Sequence, residues 1–281
     1  MKNKFLFFSV LFFVLLNLFC YYLIFDFLFL NDEVAFLNIG QGDSELIRTK
    51  AGNVLIDSGP DNQILFEISK ILPFYDKTID LVIISHPNTD HFNGLFSLLE
   101  HYKIRAVLLN DLNYPASRYQ KLIKTLRDKN VLLLRGKIGT KISWFNNYFL
   151  IIYPNENFLK NLNVNERSLV VLLKLNQRKF LFTGDIDAKI EKQIIQIFKE
   201  KIDILKVAHH GSKTASSLEF LESIKPEIAV IEVGENKFNE PHETVLERLN
   251  NLKIKIFRTD LNGTIKFIFK NGRLFIKPEN I

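Results

Sequence analysis

The chain has 281 residues, 47% of them hydrophobic, enough to bury a sizeable core, and its length suits one large domain. With 37 Lys and Arg against 31 Asp and Glu, the formal charge of +6 favours anionic partners such as nucleic acid or lipid headgroups only mildly, and the 26 Phe read as a compositional bias of the whole chain. A single cysteine, Cys20, excludes an intrachain disulfide and a cysteine-based zinc cluster, so any metal must rest on His, Asp, Glu or Asn.

From Phe5 to Leu30 the chain is almost continuously apolar, relieved only by Ser9, Asn17 and Asp26. About 20 such residues cross a bilayer as a helix. The run exceeds the ~7–15 residues of a signal-peptide core and no small-x-small cleavage site follows it, so it reads as an uncleaved anchor. Asn17-Leu18-Phe19 before Cys20 lacks the small residue of a lipoprotein signal. Lys2 and Lys4 precede the span, whereas Asn31, Asp32 and Glu33 follow it. The positive-inside bias then expects a single-pass protein of the cytoplasmic membrane, residues 1–31 forming the cytoplasmic tip and anchor and residues 32–281 a domain outside.

Beyond the anchor, strand-like runs occur at 34–39, 44–48, 53–57, 81–84, 104–108, 168–175, 178–183, 202–208, 227–233, 253–258 and 264–269. Helical periodicity marks 62–71, 116–129, 187–199 and 241–251. Early strands separated by little more than turns imply antiparallel pairing, and later strands alternate with helices. The expected class is mixed α/β, a sandwich of sheets flanked by helices.

Chemistry gathers at strand ends. Leu81-Val-Ile-Ile84 delivers His86, Asn88, Asp90 and His91 into a loop, where alternation in an extended segment would put 86, 88 and 90 on one side. Imidazole and carboxylate are donors that zinc prefers. Phe180-Leu-Phe-Thr183 ends in Gly184-Asp185, a carboxylate beside a backbone-thin position, while Asp187 can cap the following helix equally well. Ile204-Leu-Lys-Val-Ala208 leads to His209 and His210, then Gly211-Ser212. Adjacent strand residues point opposite ways, so one of this pair is expected as a ligand and the other toward substrate or a bracing group. Gly40-Gln41-Gly42-Asp43 is a glycine-flanked turn where backbone can approach a ligand or a neighbouring loop. His242 follows Pro241 at a helix start, suited to a substrate phosphate or to proton donation, or simply to capping.

These segments resemble the metallo-β-lactamase superfamily, whose signature is H-x-H-x-D-H after a buried strand. One branch is especially similar, the soluble domain of the ComEC family of DNA-uptake channels. The resemblance rests on Phe36-Leu-Asn-Ile-Gly-Gln-Gly-Asp-Ser44, Leu55-Ile-Asp-Ser-Gly59, the 86–91 cluster, Asn165-Glu-Arg-Ser-Leu169, Phe182-Thr-Gly-Asp185, Val207-Ala-His-His-Gly-Ser212 and Pro241-His242. It implies an αββα sandwich preceded by the transmembrane helix. It also implies one ion held by His86, residue 88 and Asp185, and another by Asp90, His91, Asp185 and His209 or His210, with Asp90, Asp185 and His242 as catalytic candidates. Asp57 is implied as a brace for the metal loop, and Gln41, Asp43, Ser168 and Ser212 as further bracing or substrate-contacting residues. The Asn165-x-x-Ser168 pattern stands where many superfamily members place another metal histidine.

The resemblance departs at Asn88, where the ComEC pattern H-x-D-x-D-H has a carboxylate. A neutral carbonyl oxygen suits manganese better than zinc. One firm divalent site, zinc or manganese, and a second that is weak or empty are therefore expected. The leading expectation is an extracytoplasmic phosphodiesterase or nuclease acting on DNA or another phosphodiester. One apolar span stands where the family has many, which leaves two expectations open: a separately encoded competence channel as partner, or recruitment to other extracytoplasmic hydrolysis such as a phosphodiester of cell-wall polymers. The alternative is a binding module whose site has decayed.

Overall fold

The computed structural model describes residues 2–28, 30–155 and 162–280. Helix α1 (Lys2–Leu28) is apolar on every side, and its window Lys4–Tyr21 is long and apolar enough to cross a membrane with none of it buried inside the protein, a test that a signal sequence also passes.

The first sheet starts as an antiparallel meander of β1 (Asp32–Phe36), β2 (Glu45–Thr49) and β3 (Gly52–Ile56). After α2 (Gln63–Ser69), β4 (Thr78–Ile83) joins parallel to β3. Helices α3 (Thr89–Phe92) and α4 (Leu95–His101) lead to β5 (Lys103–Leu109), and α5 (Ser117–Asp128) to β6 (Leu132–Arg135), again parallel. The second sheet opens with antiparallel β7 (Lys141–Trp144), β8 (Asn147–Tyr153), β9 (Val170–Leu175) and β10 (Arg178–Phe182). It continues parallel through α6 (Ala188–Ile197), β11 (Ile204–Lys206), α7 (Leu218–Ile224), β12 (Ile228–Ile231), α8 (Glu243–Asn251) and β13 (Lys255–Arg258). A last turn, α9 (Thr259–Asn262), returns the chain to β14 (Ile265–Lys270) and β15 (Arg273–Pro278), which close the first sheet against β1. The strand orders are β15-β14-β1-β2-β3-β4-β5-β6 and β13-β12-β11-β10-β9-β8-β7.

Period-two alternation builds four layers. In β1, Val34 and Phe36 enter the core between the sheets with Ile47, Val171, Phe180 and Phe267, while Ala35 and Leu37 face the cluster shared with Ile64, Leu98 and Leu122 of α2, α4 and α5. Leu181 and Leu205 turn to the opposite outer cluster, against Ile190, Leu221 and Leu249 of α6, α7 and α8. Both faces of the central strands are buried, which explains their solidly apolar composition. The expected αββα sandwich is the one observed.

Three local expectations change. Strands β6, β7, β8 and β15 and the short helices α3, α7 and α9 have no counterpart in the sequence reading; β6 and β7 are four-residue strands with exposed or half-buried side chains, so their hydrophobic pattern is faint. Residues 86–90 are not one extended segment: Asn88 (φ −103°, ψ 144°) ends the extended course and N-caps α3. Nor do His209 and His210 lie on a strand; β11 stops at Lys206, and both histidines occupy a 3-10 turn, Ala208–Gly211, in left-handed conformations (φ 51° and 52°).

Candidate metal centre

Ligand-bearing loops all leave the same end of the sandwich. Register pairs Phe36 with Glu45 and Glu45 with Ile56, so the loops after β1, β3 and β4 emerge together, and Ser44 N–H donates to Glu232 Oε1 (3.0 Å) just beyond β12. The helical turn of α3 corrects the alternation argument usefully: successive residues there diverge by ~100° rather than 180°, so Asp90 and His91 both reach one centre. Asp90, His91, Asp185 and His210 offer donor atoms within 4.8 Å of one another. His91 Nε2 lies 3.3 Å from Asp185 Oδ2, and His210 Nε2 lies 3.5 Å from Asp90 Oδ2.

The same Asp185 Oδ2 is approached by all four imidazole Nε2 atoms of this region, at 3.7 Å from His86, 3.3 Å from His91, 3.9 Å from His209 and 4.0 Å from His210. Three of these rings are oriented from behind. His91 Nδ1 donates to Asp57 Oδ2 (2.8 Å), and His210 Nδ1 donates to the Glu232 carbonyl (2.9 Å). Ser85 Oγ donates to Asp57 Oδ2 (2.5 Å) and is therefore free to accept from His86 Nδ1 at 3.0 Å. With each Nδ1 committed as donor, Nε2 is the ring atom left to face inward. His86 Nε2, His91 Nε2, His210 Nε2 and Asp185 Oδ1 are buried and have no hydrogen-bond partner. Buried polar atoms are rarely left so, and a convergent set of imidazole and carboxylate orphans fits a borderline divalent cation.

Charge says the same. Burial, and then the positive charge of His91, holds His86 down to about 3, so it is neutral at physiological pH. Burial alone would depress His91 and His210, yet Asp185, Asp43 and the carboxylates beyond outweigh it, raising His91 well above its usual range and His210 to about 10. Burial raises Asp185, but the same imidazoles pull it well below the ordinary carboxylate range. A concentration of negative charge that traps protons on these histidines is one that a bound cation would discharge, releasing those protons.

The remaining expected residues have definite places. Asp57 is buried at φ 52° and braces both His91 and Ser85. Ser168 Oγ accepts the Asp185 N–H (3.0 Å) and donates to the Asn165 carbonyl (2.7 Å). Gly184 is required there, because a Cβ would stand 2.8 Å from that of Ser168. The glycine-flanked turn serves a neighbouring loop: a Cβ on Gly42 would meet the Asp90 carbonyl at 2.3 Å. Asp187, not Asp185, caps α6 by accepting the Ile190 N–H. Gln41, Asn88, Asp90, Asp185, His209, His210, Ser212 and His242 line one open cavity of about 530 Å³, together with Lys213, Phe238, Asn239 and Glu240. A larger cavity of about 1140 Å³ around Leu30, Lys50, Phe145 and Arg178 holds none of the histidines. Between the adjacent histidines the structure discriminates: His210 is buried within the quartet, whereas His209 is 30% exposed and has Nε2 3.3 Å from Asn165 Nδ2.

Sequence reasoning named Asp43 but missed Lys206, Glu45 and Glu232 beneath the site. Lys206 is fully buried, donating to Asp43 through a very short contact and to the Gly184 carbonyl at 3.2 Å. Asp43 in turn faces His210 Nδ1 at 3.3 Å and His91 Nδ1 at 3.5 Å. Glu45 and Glu232 are buried close to the lysine, and burial, then neighbouring carboxylates, raises Glu45 well above the ordinary carboxylate range and Glu232 to about 7. A lysine inside the apolar run Ile204–Ala208 was the available signal, since a charge on a central strand demands a buried partner.

A family model described as metallo-beta-lactamase superfamily matches residues 37–234, which takes in every loop of the quartet. The chain belongs to that superfamily. Among curated relatives it is 29% identical to ComE operon protein 3 of Bacillus subtilis over 85% of this chain and 33% of the relative, and 30% identical to Recombination protein 2 of Haemophilus influenzae over 87% and 30%. It thus spans about a third of the length of the curated relatives it matches. The fold is shared with the metallo-beta-lactamase fold protein YhfI of Bacillus subtilis, at TM-score 0.58 and 10% identity over 84% of this chain and 100% of that one. The superfamily membership carries a general expectation of metal-dependent hydrolysis, and the His/Asp cluster is where a metal fits.

Proposed function

We propose that this protein is a metal-dependent phosphodiesterase or nuclease held at the outer face of a membrane by α1. One observation carries the reading: three buried imidazoles, each pinned through Nδ1, turn unpartnered Nε2 atoms toward a single Asp185 carboxylate. Asp90, His91, Asp185 and His210 would hold the firm ion. His86 and His209, both within 4.0 Å of the same Asp185 oxygen, would with Asn88 form the weaker position. A zinc or manganese ion there supplies Lewis acidity toward a phosphoryl oxygen and acidifies water.

The chain's own groups do the rest. His242 caps α8, its Nδ1 accepting the Thr244 N–H at 3.3 Å, which leaves Nε2 as the ring nitrogen that can donate to a leaving oxygen. Lys213, exposed at the cavity mouth, attracts phosphate. Relatives named for competence and recombination support DNA as the phosphodiester and a competence channel as the working partner. The topology suits a tether, because β1 begins at Asp32 beside α1 and runs toward the ligand loops; five residues at ~3.3 Å set the site roughly 17 Å from the anchored end.

The test is metal content with turnover of bis(p-nitrophenyl) phosphate and of a DNA oligonucleotide, on the intact chain in detergent. At least one ion per chain is expected, and Asp185→Ala or His210→Ala should lower turnover by two orders of magnitude or more, roughly the loss that removal of a key group brings. Absence of bound metal, or undiminished turnover in both variants, contradicts the reading. Salt-sensitive DNA binding without cleavage in Mn²⁺ or Zn²⁺ would instead favour a binding module. Asn88→Asp should raise occupancy toward two ions; two ions already present in the wild type would overturn the weak-site assignment.

A further inference from the structure

The cavity above the metal cluster is lined by polar and charged side chains with one exception. Among the described lining residues, Phe238 is the only hydrocarbon side chain, and it is 73% exposed. A single exposed phenylalanine is ordinary on a protein surface. This one differs in two respects. It lines the same cavity as Asp90, Asp185 and His210. Its exposure is also enforced, because Asn236 builds the loop that carries it. The Asn236 side chain accepts the N–H groups of Phe238 (3.0 Å) and Glu240 (3.1 Å) and donates to the carbonyls of Gly234 (2.9 Å) and Glu240 (2.8 Å). Below it, Glu240 accepts from Gln41 Nε2 at 3.2 Å, and Gln41 Oε1 accepts the Gly234 N–H at 3.1 Å, tying the loop to the turn after β1. The ring lines the cavity and stays exposed to solvent.

An apolar plate beside a phosphate-attracting lysine and a metal cluster has the chemistry of a base-stacking platform. Saturated polyol phosphodiesters, the alternative substrates for this kind of centre, have no flat face to place on it. We propose that Phe238 stacks a nucleobase next to the reacting phosphate, so that this site selects nucleic acid, with the contacted base unpaired, over saturated phosphodiesters. The duplex interior hides base faces, and stacking on Phe238 needs one of them free. The inference deepens the phosphodiesterase reading and rests on it for the identity of the reacting group, but its test measures binding alone.

The intact chain in detergent is titrated, under chelation so that nothing is cleaved, against fluorescein-labelled dT hexamer and an abasic hexamer of equal charge. Because the phosphates are the same, electrostatics cancel and the affinity ratio reports the base. Wild type should prefer the dT hexamer by about 5- to 150-fold, the range carried by one stacked base. Phe238→Ala should bring the ratio close to one, Phe238→Trp should retain it, and Lys213→Ala should weaken both probes alike. Phe238→Ala leaves no core cavity at so exposed a position, and an unchanged melting temperature checks this. A wild type that binds both hexamers equally, or a Phe238→Ala variant that keeps the preference, overturns the proposal. Failure of the hydrolase reading shows separately, as missing turnover with the base preference intact.

Discussion

Lys206→Met removes a lysine buried beneath the candidate metal centre while nearly conserving volume. Lys206 is sealed from solvent and pairs with Asp43, which faces the Nδ1 atoms of both His91 and His210. Taking away one partner of a buried ion pair leaves the other charge uncompensated, at about 3–5 kcal/mol. Asp43 keeps its two imidazole neighbours, which places the expected loss near 3 kcal/mol. For a domain of this size each kcal/mol lowers the melting temperature by roughly 2–4 °C, so a fall of about 6–12 °C is expected. The second consequence is local: an Asp43 no longer anchored to β11 orients His210 poorly, and such bracing partners are worth 10–100-fold in metal affinity. Thermal denaturation with and without chelator, followed by competition for metal with a fluorescent chelator, reads both effects. Adding Asp43→Asn should recover much of the lost stability but not the affinity, since the bracing carboxylate is then gone. A Lys206→Met protein that melts within ~2 °C of wild type and binds metal equally well would refute this account of the buried lysine.

Three further outcomes follow from the geometry. His210→Ala should weaken metal binding far more than His209→Ala, because His210 belongs to the buried quartet while His209 is partly exposed and contacts Asn165; equal losses by calorimetry would contradict that division. Burial, and then the charge of Asp43, raises Glu232 to about 7, so the folded chain keeps a proton there that the unfolded chain gives up near 4.5. Its stabilising contribution is whole below ~4.5 and fades as pH climbs through 7, so Glu232→Gln should gain over wild type between pH 5 and 8 in urea denaturation, by up to about 3 kcal/mol; a pH-independent difference would count against it. Asp187→Ala should cost about 1 kcal/mol by removing the cap of α6 without altering metal content, which separates it from Asp185.

Much of the site was legible because its residues sit where apolar strands stop. The runs ending before His86, Asp185 and His209 announce buried strands, and side chains at their tips need no tertiary knowledge to be grouped. The short α3 turn and the left-handed histidine turn were not legible, since each is shaped by loops packing across it rather than by local propensity: Gly42 lies against the Asp90 carbonyl, and His209 N–H is held by the Gly184 carbonyl. Lys206 and Glu232 were hidden for a related reason, because they lie far from Asp43 in the chain and only their meeting makes a lysine on an apolar strand tolerable.

By itself, then, the sequence determined the layered αββα class, the apolar N-terminal helix and the set of donors, because hydrophobic periodicity and strand-end chemistry are local properties. Tertiary structure alone decided which histidine joins the quartet, that a buried lysine lies beneath it, and that a phenylalanine lines the cavity. Those depend on convergence of loops from two sheets, a property that no single stretch of the chain contains.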